Sequence, residues 1–201
     1  IPVTLAANNF NSYSTSSLIG AAALCNNLTI EDNEITRCWV GIHIAGTTSN
    51  YHDNLIVRNN VLGSSSASTN IGNRGIFIAG TAGTAGTTSA LIDNNDIRVG
   101  DVSISGTNGY FSSIAGIEIG TANAGAKIYK NHIHDVYQTS TSGYGAAGIV
   151  VSGSTTCNDI EIVNNRIVNI ATIKYGFNSI TSAANAIGIR YSAGATAQKI
   201  K

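Results

Sequence analysis

The sequence is short of proline, methionine and charge. Of its 201 residues, one is proline and none is methionine. Only 11% of the residues are charged, against about a quarter in an average domain. The 11 basic and 11 acidic residues cancel, so the chain lacks the positive surface that nucleic acid or an anionic membrane would need. The single proline is compatible with long backbone ladders, because proline cannot donate a hydrogen bond to them.

Two further features are absent. No apolar run reaches the length of about 20 residues that a membrane-spanning helix needs, so we expect no membrane insertion by this segment. The N-terminus carries no signal-peptide pattern, and the repetitive pattern described below extends to both termini. We therefore expect residues 1–201 to form a single domain that is a fragment of a longer solenoid, uncapped at both ends.

A short motif recurs along the whole chain. It consists of an apolar residue, two variable residues, asparagine, one variable residue and a second apolar residue, as in Ile92-Asp-Asn-Asn95-Asp-Ile97. The asparagines that anchor its six copies are Asn8, Asn33, Asn60, Asn95, Asn131 and Asn165. A second motif, glycine-isoleucine-variable-apolar, lies between successive anchors and begins at Gly41, Gly75, Gly116, Gly148 and Gly188.

Both motifs have the periodicity of β-strands. Apolar and variable residues alternate over a few positions, and the segments are too short and too close for helices between them. We predict an all-β solenoid of about six coils, with three short strands per coil stacked at about 4.8 Å. The anchor asparagine would occupy a sharp turn, where a short amide tolerates left-handed φ. Stacked asparagines would also form an amide ladder along the solenoid.

With these motifs, the chain resembles the right-handed parallel β-helix superfamily, which includes pectate-lyase-like and polygalacturonase-like proteins. The repeat is also similar to repeats in large secreted and surface-anchored bacterial proteins. The resemblance implies a right-handed parallel β-helix and a secreted or cell-surface location. It does not choose an activity, because the fold hosts lyases, hydrolases, epimerases, adhesins and inert stalks.

Aligning the anchors predicts which charged side chains are neighbours on successive coils. Two residues before the anchor lie Glu31, Arg58, Asp93 and Tyr129, and four before it lie Lys127, Glu161 and Lys199. Opposite charges alternate in both columns. We interpret them as surface salt-bridge ladders, worth a few tenths of a kcal/mol per pair.

The densest polar group follows the anchors. The alignment places Asp96, His132 and Arg166 on three consecutive coils of one face, with Arg98 beside His134. A carboxylate next to a histidine can orient a general base. A simple charge ladder, glycan binding, metal binding and catalysis all remain open for this group.

The glycine-isoleucine strands present a second column, consisting of His43, Phe77, Glu118, Val150 and Arg190. The resemblance implies that this face forms the substrate groove in the related enzymes. Phe77 beside Glu118 would make a modest sugar-contacting pair. Ordinary glycoside hydrolysis needs two carboxylates about 5–10 Å apart, whereas this column offers Glu118 alone. Glu118 therefore stands only as a candidate catalytic residue.

The inserts between strands are rich in Ser, Thr, Gly and Ala and carry the aromatic residues Tyr110, Tyr144 and Tyr175. These rings would either stack on sugars or cover the solenoid. No cofactor is predicted. Calcium binding in a loop stays open but unsupported, because the candidate ligands are scattered over the coil: Asp32, Asp53, Asp101 and Asp159.

The three cysteines do not indicate a disulfide scaffold. Cys25 and Cys157 occupy equivalent positions four coils apart, beyond the reach of a disulfide. Cys38 aligns with apolar residues and is predicted to be a small core residue. We expect three free thiols, although a Cys25–Cys38 pair stays open.

The sequence favours a non-catalytic module of a secreted or cell-surface bacterial protein, acting as a structural spacer or adhesin that binds glycan through its loop face. One alternative is a fragment of a polysaccharide lyase or glycoside hydrolase. Another is a cargo or partner of a bacterial secretion or surface-display machine. The expected partners are a polysaccharide or other parts of the same larger protein.

Overall fold

Short β-strands are the only extended regular structure in the part of the chain that the computed structural model describes. That part comprises residues 17–21, 27–45, 52–66, 69–79, 87–100, 114–120, 123–138, 145–152, 157–172, 185–191 and 198–201. Within it, there is no helix of the length and apolarity needed to cross a membrane. The first anchor, Asn8, lies outside the described residues.

The strands form three main parallel sheets. The Gly-Ile sheet contains β1 (Ser17–Ala21), β4 (Val40–Ala45), β8 (Arg74–Ala79), β12 (Ile114–Ile119), β15 (Ala146–Val151) and β18 (Ala186–Tyr191). The pre-Asn sheet contains β2 (Thr29–Glu31), β6 (Ile56–Arg58), β10 (Leu91–Asp93), β13 (Lys127–Tyr129), β16 (Ile160–Val163) and β19 (Gln198–Ile200). The post-Asn sheet contains β3 (Glu34–Ile35), β7 (Val61–Leu62), β11 (Asp96–Gly100), β14 (His132–Gln138) and β17 (Arg166–Thr172). A small pair joins β5 (His52–Asp53) to β9 (Thr87–Thr88).

Each coil contributes one strand to each of the three sheets. The chain runs from the pre-Asn sheet through the post-Asn sheet to the Gly-Ile sheet and then begins the next coil. The described residues form five complete coils, with β1 before them and β19 after them. This architecture is a right-handed parallel β-helix with three short strands per coil, and it confirms the predicted fold class.

The strand register confirms the alignment of the anchors. In the pre-Asn sheet, Ile30, Val57, Ile92, Ile128 and Ile162 follow one another on successive coils. In the post-Asn sheet, the column after the anchor is Glu34, Val61, Asp96, His132 and Arg166. Because side chains alternate between the two faces of a strand, the correct register also decides which residues point outward.

The interior consists of columns of like side chains. On the Gly-Ile strands the fully buried isoleucines include Ile42, Ile76, Ile117 and Ile149. On the post-Asn strands they face Ile35, Leu62, Ile97 and Ile133. Burial of each such side chain is worth roughly 1.5–3 kcal/mol. Because each coil stacks its apolar residues on the next, the core is continuous along the solenoid.

The glycine of the second motif is required by close packing. A Cβ atom at Gly116 would lie 2.4 Å from Cγ2 of Ile133 and 2.8 Å from the carbonyl oxygen of Gly148. Gly75 and Gly148 are equally crowded. The missing side chain therefore allows the Gly-Ile strand to approach the post-Asn strand of the next coil.

The anchor asparagines form an amide ladder, which we call the Asn ladder (Asn33, Asn60, Asn95, Asn131 and Asn165). The side-chain amide of each donates to Oδ1 of the next, over 3.0, 3.0, 2.9 and 3.0 Å in chain order. The same Oδ1 atoms also accept the backbone N–H of the preceding anchor. The ladder thus satisfies backbone groups that the turn leaves without strand partners.

The left-handed residue of this turn is not the anchor itself, and the prediction was wrong on this point. Positive φ angles occur one position earlier, at Asp32, Asn59, Asn94, Lys130 and Asn164. Among these, Asn94 has φ 53° and an exposed side chain. The preceding residue takes the strained conformation, and this leaves the anchor free to turn its amide inward.

The charged columns of the pre-Asn sheet are in the predicted register, and their contacts include both an ion pair and a hydrogen bond. Arg58 Nη2 lies 2.6 Å from Glu31 Oε2. Glu161, which lies beside Lys127 in the register, accepts a hydrogen bond from the Tyr129 hydroxyl. This bond raises the pKa of Tyr129 to about 12.

Two cysteines lie in the described residues, and both are buried free thiols. Cys38 is part of the core, as predicted, and burial raises the pKa of its thiol to about 12. The Cys157 thiol donates to the Gly120 carbonyl over 3.1 Å. Cys25 lies outside the described residues.

Candidate functional site

A group of polar side chains converges on the outer face of the post-Asn sheet. We call it the His-Asp cluster and define it by seven residues on three strands. They are Asp96 and Arg98 on β11, His132, His134 and Asp135 on β14, and Arg166 and Asn169 on β17. The cluster therefore spans three consecutive coils, as the anchor alignment predicts for Asp96, His132 and Arg166.

A β-bulge brings Asp135 into the cluster. The register between β11 and β14 shifts after Ile97, because β14 has one more residue before the next paired position. The extra residue, Asp135, has a φ of 53°, and its counterpart Asn169 on β17 has a φ of 54°. Bulges re-aim side chains, and here the bulge places the Asp135 carboxylate beside the imidazole of the preceding residue, His134.

Asp96 is the centre of the cluster. Its Oδ1 atom lies 3.0 Å from Nδ1 of His132 and 2.9 Å from Nε2 of His134. The two imidazole rings are stacked, with centroids 4.2 Å apart and an interplanar angle of 15°. They stack because His132 and His134 are two residues apart on one strand and so point to the same face. One carboxylate oxygen therefore contacts two imidazole nitrogens.

His134 lies between two carboxylates. Its Nε2 atom faces Asp96, and its Nδ1 atom lies 2.8 Å from Oδ2 of Asp135. Nε of Arg98 lies 3.2 Å from Nδ1 and 3.3 Å from Nε2, which places the guanidinium close to the ring. The His134 side chain is only 8% exposed, although it is on the outer face of the solenoid. Its neighbours hold the ring in one orientation.

Asp135 is itself held in place from the next coil. Asn169 donates a hydrogen bond of 3.0 Å from Nδ2 to Oδ1 of Asp135, and the Tyr137 hydroxyl lies 3.4 Å from the same oxygen. The hydrogen bond from Asn169 holds the pKa of Asp135 below its usual value. The hydrogen bond to His134 and the charges of His134 and Arg98 act in the same direction, and partial burial opposes them.

Arg166 defines the tautomer of His132. Its Nη1 atom lies 3.0 Å from Nε2 of His132. A guanidinium has only donors, so Nε2 accepts and the ring proton resides on Nδ1. His132 then donates from Nδ1 to Asp96. This chain of Arg166, His132 and Asp96 orients the imidazole through both of its nitrogens.

Three residues of the cluster could hold a metal ion. Asp96, His132 and His134 each offer one ligand atom, and these atoms lie within 4.8 Å of one another. Within the described residues, no other group of three histidine, cysteine, aspartate or glutamate side chains converges in this way. The scattered aspartates Asp32, Asp53 and Asp159 join no such group, and Asp101 lies outside the described residues.

The outward column on the Gly-Ile sheet has the predicted order of residues, but its side-chain contacts differ from those of the His-Asp cluster. The register places His43, Phe77, Glu118, Val150 and Arg190 on successive coils. The rings of His43 and Phe77 are stacked, with centroids 5.1 Å apart and an interplanar angle of 6°. Partial burial lowers the pKa of His43. This pair is a flat, partly exposed surface, and Phe77 is one coil away from Glu118.

Glu118 is engaged by its neighbours. Arg74 donates from Nε to its Oε2 atom, and the Ser152 hydroxyl donates to Oε1 over 2.8 Å. The side chain of Glu118 is only 12% exposed and that of Arg74 only 13%. A carboxylate occupied in this way is poorly placed to exchange protons with a substrate.

Sequence reasoning missed Asp135, Asn169 and Arg74. A signal for the first two exists in the chain, because the apolar residue after the bulge is Val99 in one coil and Val136 and Ile170 in the next two, one place further from the anchor. Arg74 lies directly before the glycine-isoleucine motif and gives no comparable signal. Tyr110, Tyr144 and Tyr175 lie outside the described residues, so their placement stays a prediction.

No protein-family model, curated protein or solved structure matches this chain. The parallel β-helix fold hosts unrelated activities. The function must therefore be argued from the geometry of the two outer faces and of the core.

Proposed function

We propose that this chain is a rigid β-helix module of a secreted or cell-surface protein, acting as a structural spacer or adhesin. The Asn ladder is the observation that carries the proposal. Its amides join five consecutive coils through hydrogen bonds of 2.9 to 3.0 Å. The ladder connects coils along the same direction as the strand pairing and the core, so all three resist separation of the coils.

A spacer needs stiffness along its axis, and repeat architectures provide it through contacts between neighbours. In this chain each coil is bonded to the next in three sheets and through its anchor asparagine. The occupied carboxylate of Glu118 supports a non-catalytic role for the Gly-Ile face. That face is where the resemblance to pectate-lyase-like enzymes would place a substrate.

Native-state hydrogen exchange of the full chain tests the spacer role. We expect the buried amides of the five described coils to exchange with one common opening free energy, because coupled coils open together. An Asn95→Ala variant should split this single value into two groups, on either side of the altered coil. Independent exchange of each coil in the unaltered chain would contradict a rigid spacer.

The adhesin role requires a surface that binds glycan. Aromatic rings with polar neighbours suit sugar faces, and the stacked His43 and Phe77 pair is the described surface of this kind. The expected ligand is a polysaccharide. A glycan array probed with the full chain should show binding, and two variants should locate it. Phe77→Ala tests the Gly-Ile face, and a combined Tyr110→Ala, Tyr144→Ala, Tyr175→Ala variant tests the loop face.

The two variants distinguish the two candidate glycan-binding faces. Loss of binding in Phe77→Ala with retention in the triple tyrosine variant would favour the Gly-Ile face, and the reverse would favour the loop face. Absence of binding to any glycan by the unaltered chain would remove the adhesin role and leave the spacer role, which hydrogen exchange tests independently.

A fragment of a polysaccharide-cleaving enzyme is the second candidate. It is favoured by one observation, the contact of 3.0 Å between Asp96 and His132 Nδ1, because a carboxylate in this position orients a general base. The full chain should be incubated with pectins and other uronic-acid polymers while new reducing ends and unsaturated products are measured. Activity that disappears in His132→Ala would support this candidate, and inactivity on all polymers would count against it.

A further inference from the structure

We propose that Asp96, His132 and His134 form a binding site for a divalent first-row transition-metal ion, with zinc as the natural test ion. The ligands would be Oδ1 of Asp96, Nδ1 of His132 and Nε2 of His134. The site does not depend on the spacer or adhesin role, and it stands on the geometry of the His-Asp cluster alone.

The ligand atoms are close to the positions that a small metal ion requires. Oδ1 of Asp96 lies 3.0 Å from Nδ1 of His132 and 2.9 Å from Nε2 of His134. In a tetrahedral zinc site with bonds of about 2.0–2.1 Å, ligand atoms are about 3.3 Å apart. The two Asp96 contacts would therefore lengthen by a few tenths of an ångström, and the two imidazole nitrogens, which lie within 4.8 Å of each other, would come to a similar separation. Both histidines are on one strand, and Asp96 is on the neighbouring coil.

The outer hydrogen bonds of His134 are those of a metal-ligating histidine. Such a histidine usually donates its other ring N–H to a carboxylate, which fixes the ring and increases its basicity. Nδ1 of His134 has this partner in Asp135, at 2.8 Å. Asn169 in turn holds Asp135 from the next coil, at 3.0 Å. The bulge that contains Asp135 thus supplies the carboxylate that supports His134.

The donor set selects the class of ion. Two imidazoles and one carboxylate suit zinc and neighbouring transition ions, whereas calcium and magnesium prefer oxygen ligands. The side chains of Asp96 and His132 are 47% and 37% exposed. A fourth position on the ion would therefore be open to water, as in zinc sites with three protein ligands.

Arg166 must move when the ion binds. It donates to Nε2 of His132, which keeps the ring proton on Nδ1, the atom that would ligate the metal. On binding, the proton must leave Nδ1 and reside on Nε2, and the guanidinium must then turn away because Nε2 can no longer accept. Arg166 is exposed at the edge of the cluster, so it has room to turn.

Titration of the metal-free full chain with Zn²⁺ by calorimetry tests the proposal, with Co²⁺ as a spectroscopic probe of the ligand set. We expect one ion per chain and a Co²⁺ spectrum of low coordination number. Asp96→Asn and His134→Ala should each weaken binding by about 100-fold or more, and Asp135→Asn by about 10- to 100-fold. His52→Gln is the matched control, because it removes a histidine outside the cluster, and it should bind normally.

Three results would overturn the proposal. They are no binding by the unaltered chain, equal binding by Asp96→Asn and the unaltered chain, or equal loss in His52→Gln. Asp96→Asn preserves the shape of the side chain, so it remains informative if His134→Ala does not fold. Circular dichroism of each variant, recorded before titration, separates loss of the site from loss of the fold.

A variant of Arg166 separates a cation site from an anion site. If the cluster binds a metal, Arg166→Ala removes a competitor for His132 and should tighten Zn²⁺ binding. If instead the arginines and histidines bind an anion, the same variant should lose affinity for sulfate. The substitution should then leave the affinity for Zn²⁺ unchanged. That second outcome would overturn the metal site.

Binding should also connect two coils, because Asp96 is on β11 and both histidines are on β14. A ligand that binds only the folded state raises the melting temperature by an amount that increases with the logarithm of its concentration relative to its Kd. Zn²⁺ should therefore raise the melting temperature of the unaltered chain and leave that of Asp96→Asn unchanged. Equal shifts in both proteins would contradict a site that contains Asp96.

Discussion

Two stacks of polar side chains run along this solenoid, one inside and one outside. The Asn ladder repeats a single residue type at one position of every described coil, and its first four members are buried. The His-Asp cluster combines aspartate, histidine, arginine and asparagine over three coils of the outer face. Both stacks use contacts of about the same length between neighbouring coils.

The difference lies in the symmetry of the two stacks. In the Asn ladder each amide donates to the next and accepts from the previous one, so the same bonds recur in every coil. In the His-Asp cluster the repeat is broken by a bulge, and three strands contribute different groups to one centre. A regular polar stack is sufficient for stability, whereas an irregular one suggests a site for a ligand. The predictions below test this distinction.

Removing one amide from the Asn ladder should have the largest effect. Asn95 accepts from Asn60 and donates to Asn131, Val57 and Asp93. Asn95→Ala would leave several buried groups without partners, and each costs about 1–3 kcal/mol. We expect a loss of about 3–5 kcal/mol in the free energy of unfolding, measured by urea denaturation.

The neighbouring residue is the matched control for this variant. Asn94→Gly removes an exposed amide that donates to Asn59 over 2.9 Å, and glycine tolerates the φ of 53° at this position. The expected change is within about 0.5 kcal/mol. Similar losses in the free energy of unfolding in both variants would show that a buried amide of the Asn ladder contributes no more than an exposed amide on the surface.

A methyl group added beside the core should have the next largest effect. In Gly116→Ala the new Cβ would meet the Ile133 side chain and the Gly148 backbone at 2.4 and 2.8 Å, so neighbouring strands must shift. We expect a loss of about 1–3 kcal/mol, by the same denaturation measurement. Gly188 has the same place in the motif, and within the described part of the chain no atom lies within 4 Å of such a Cβ. Gly188→Ala should be tolerated, and equal costs at both sites would refute the steric explanation.

Asp96→Asn should affect stability much less than it affects ligand binding. The side chain is 47% exposed, and exposed ion pairs are worth about 1 kcal/mol or less. We therefore expect a change in the free energy of unfolding within about 1 kcal/mol, together with the loss of zinc affinity described above. A loss as large as that of Asn95→Ala would mean that the cluster is structural and that the comparison between the two stacks fails.

The pH dependence of stability at His43 should be the smallest effect. Burial lowers the pKa of His43 below its ordinary value of 6.5, so the unfolded chain binds a proton at higher pH than the folded chain. The contribution of neutral His43 to the free energy of unfolding is fully present above pH 6.5. It is lost as the pH falls below that value.

His43→Phe keeps an aromatic ring against Phe77 and removes the titrating group. Denaturation of both proteins at pH about 7.5 and about 5.5 isolates the contribution of His43, because the other histidines are common to both. We expect the unaltered chain to lose more stability on acidification than the variant. An equal loss of stability in both proteins would show that the stack of His43 on Phe77 does not disfavour the charged imidazole.

The coil register could be read from the sequence because one rule applies at every anchor. Asn60, Asn95 and Asn131 recur with apolar residues at fixed distances before and after them, so aligning them predicts every pair in the pre-Asn sheet. The candidate site was only partly predictable. The alignment placed Asp96, His132 and Arg166 on one face, but the contact of Asp135 with His134 depends on a bulge that the motif does not contain.

The sequence by itself determined the fold, because a repeated pattern of apolar residues, asparagine and glycine admits one way of stacking the coils. It also determined which face the outward residues occupy where the strands are regular, since side chains alternate along a strand, whereas the bulge at Asp135 interrupts this alternation. Only the tertiary structure decided which outward groups are free and which are engaged. Glu118 is paired with Arg74, and Asp96 meets the imidazole of His134 as well as that of its aligned neighbour His132, because the contacts with Arg74 and His134 join residues at different positions of the repeat.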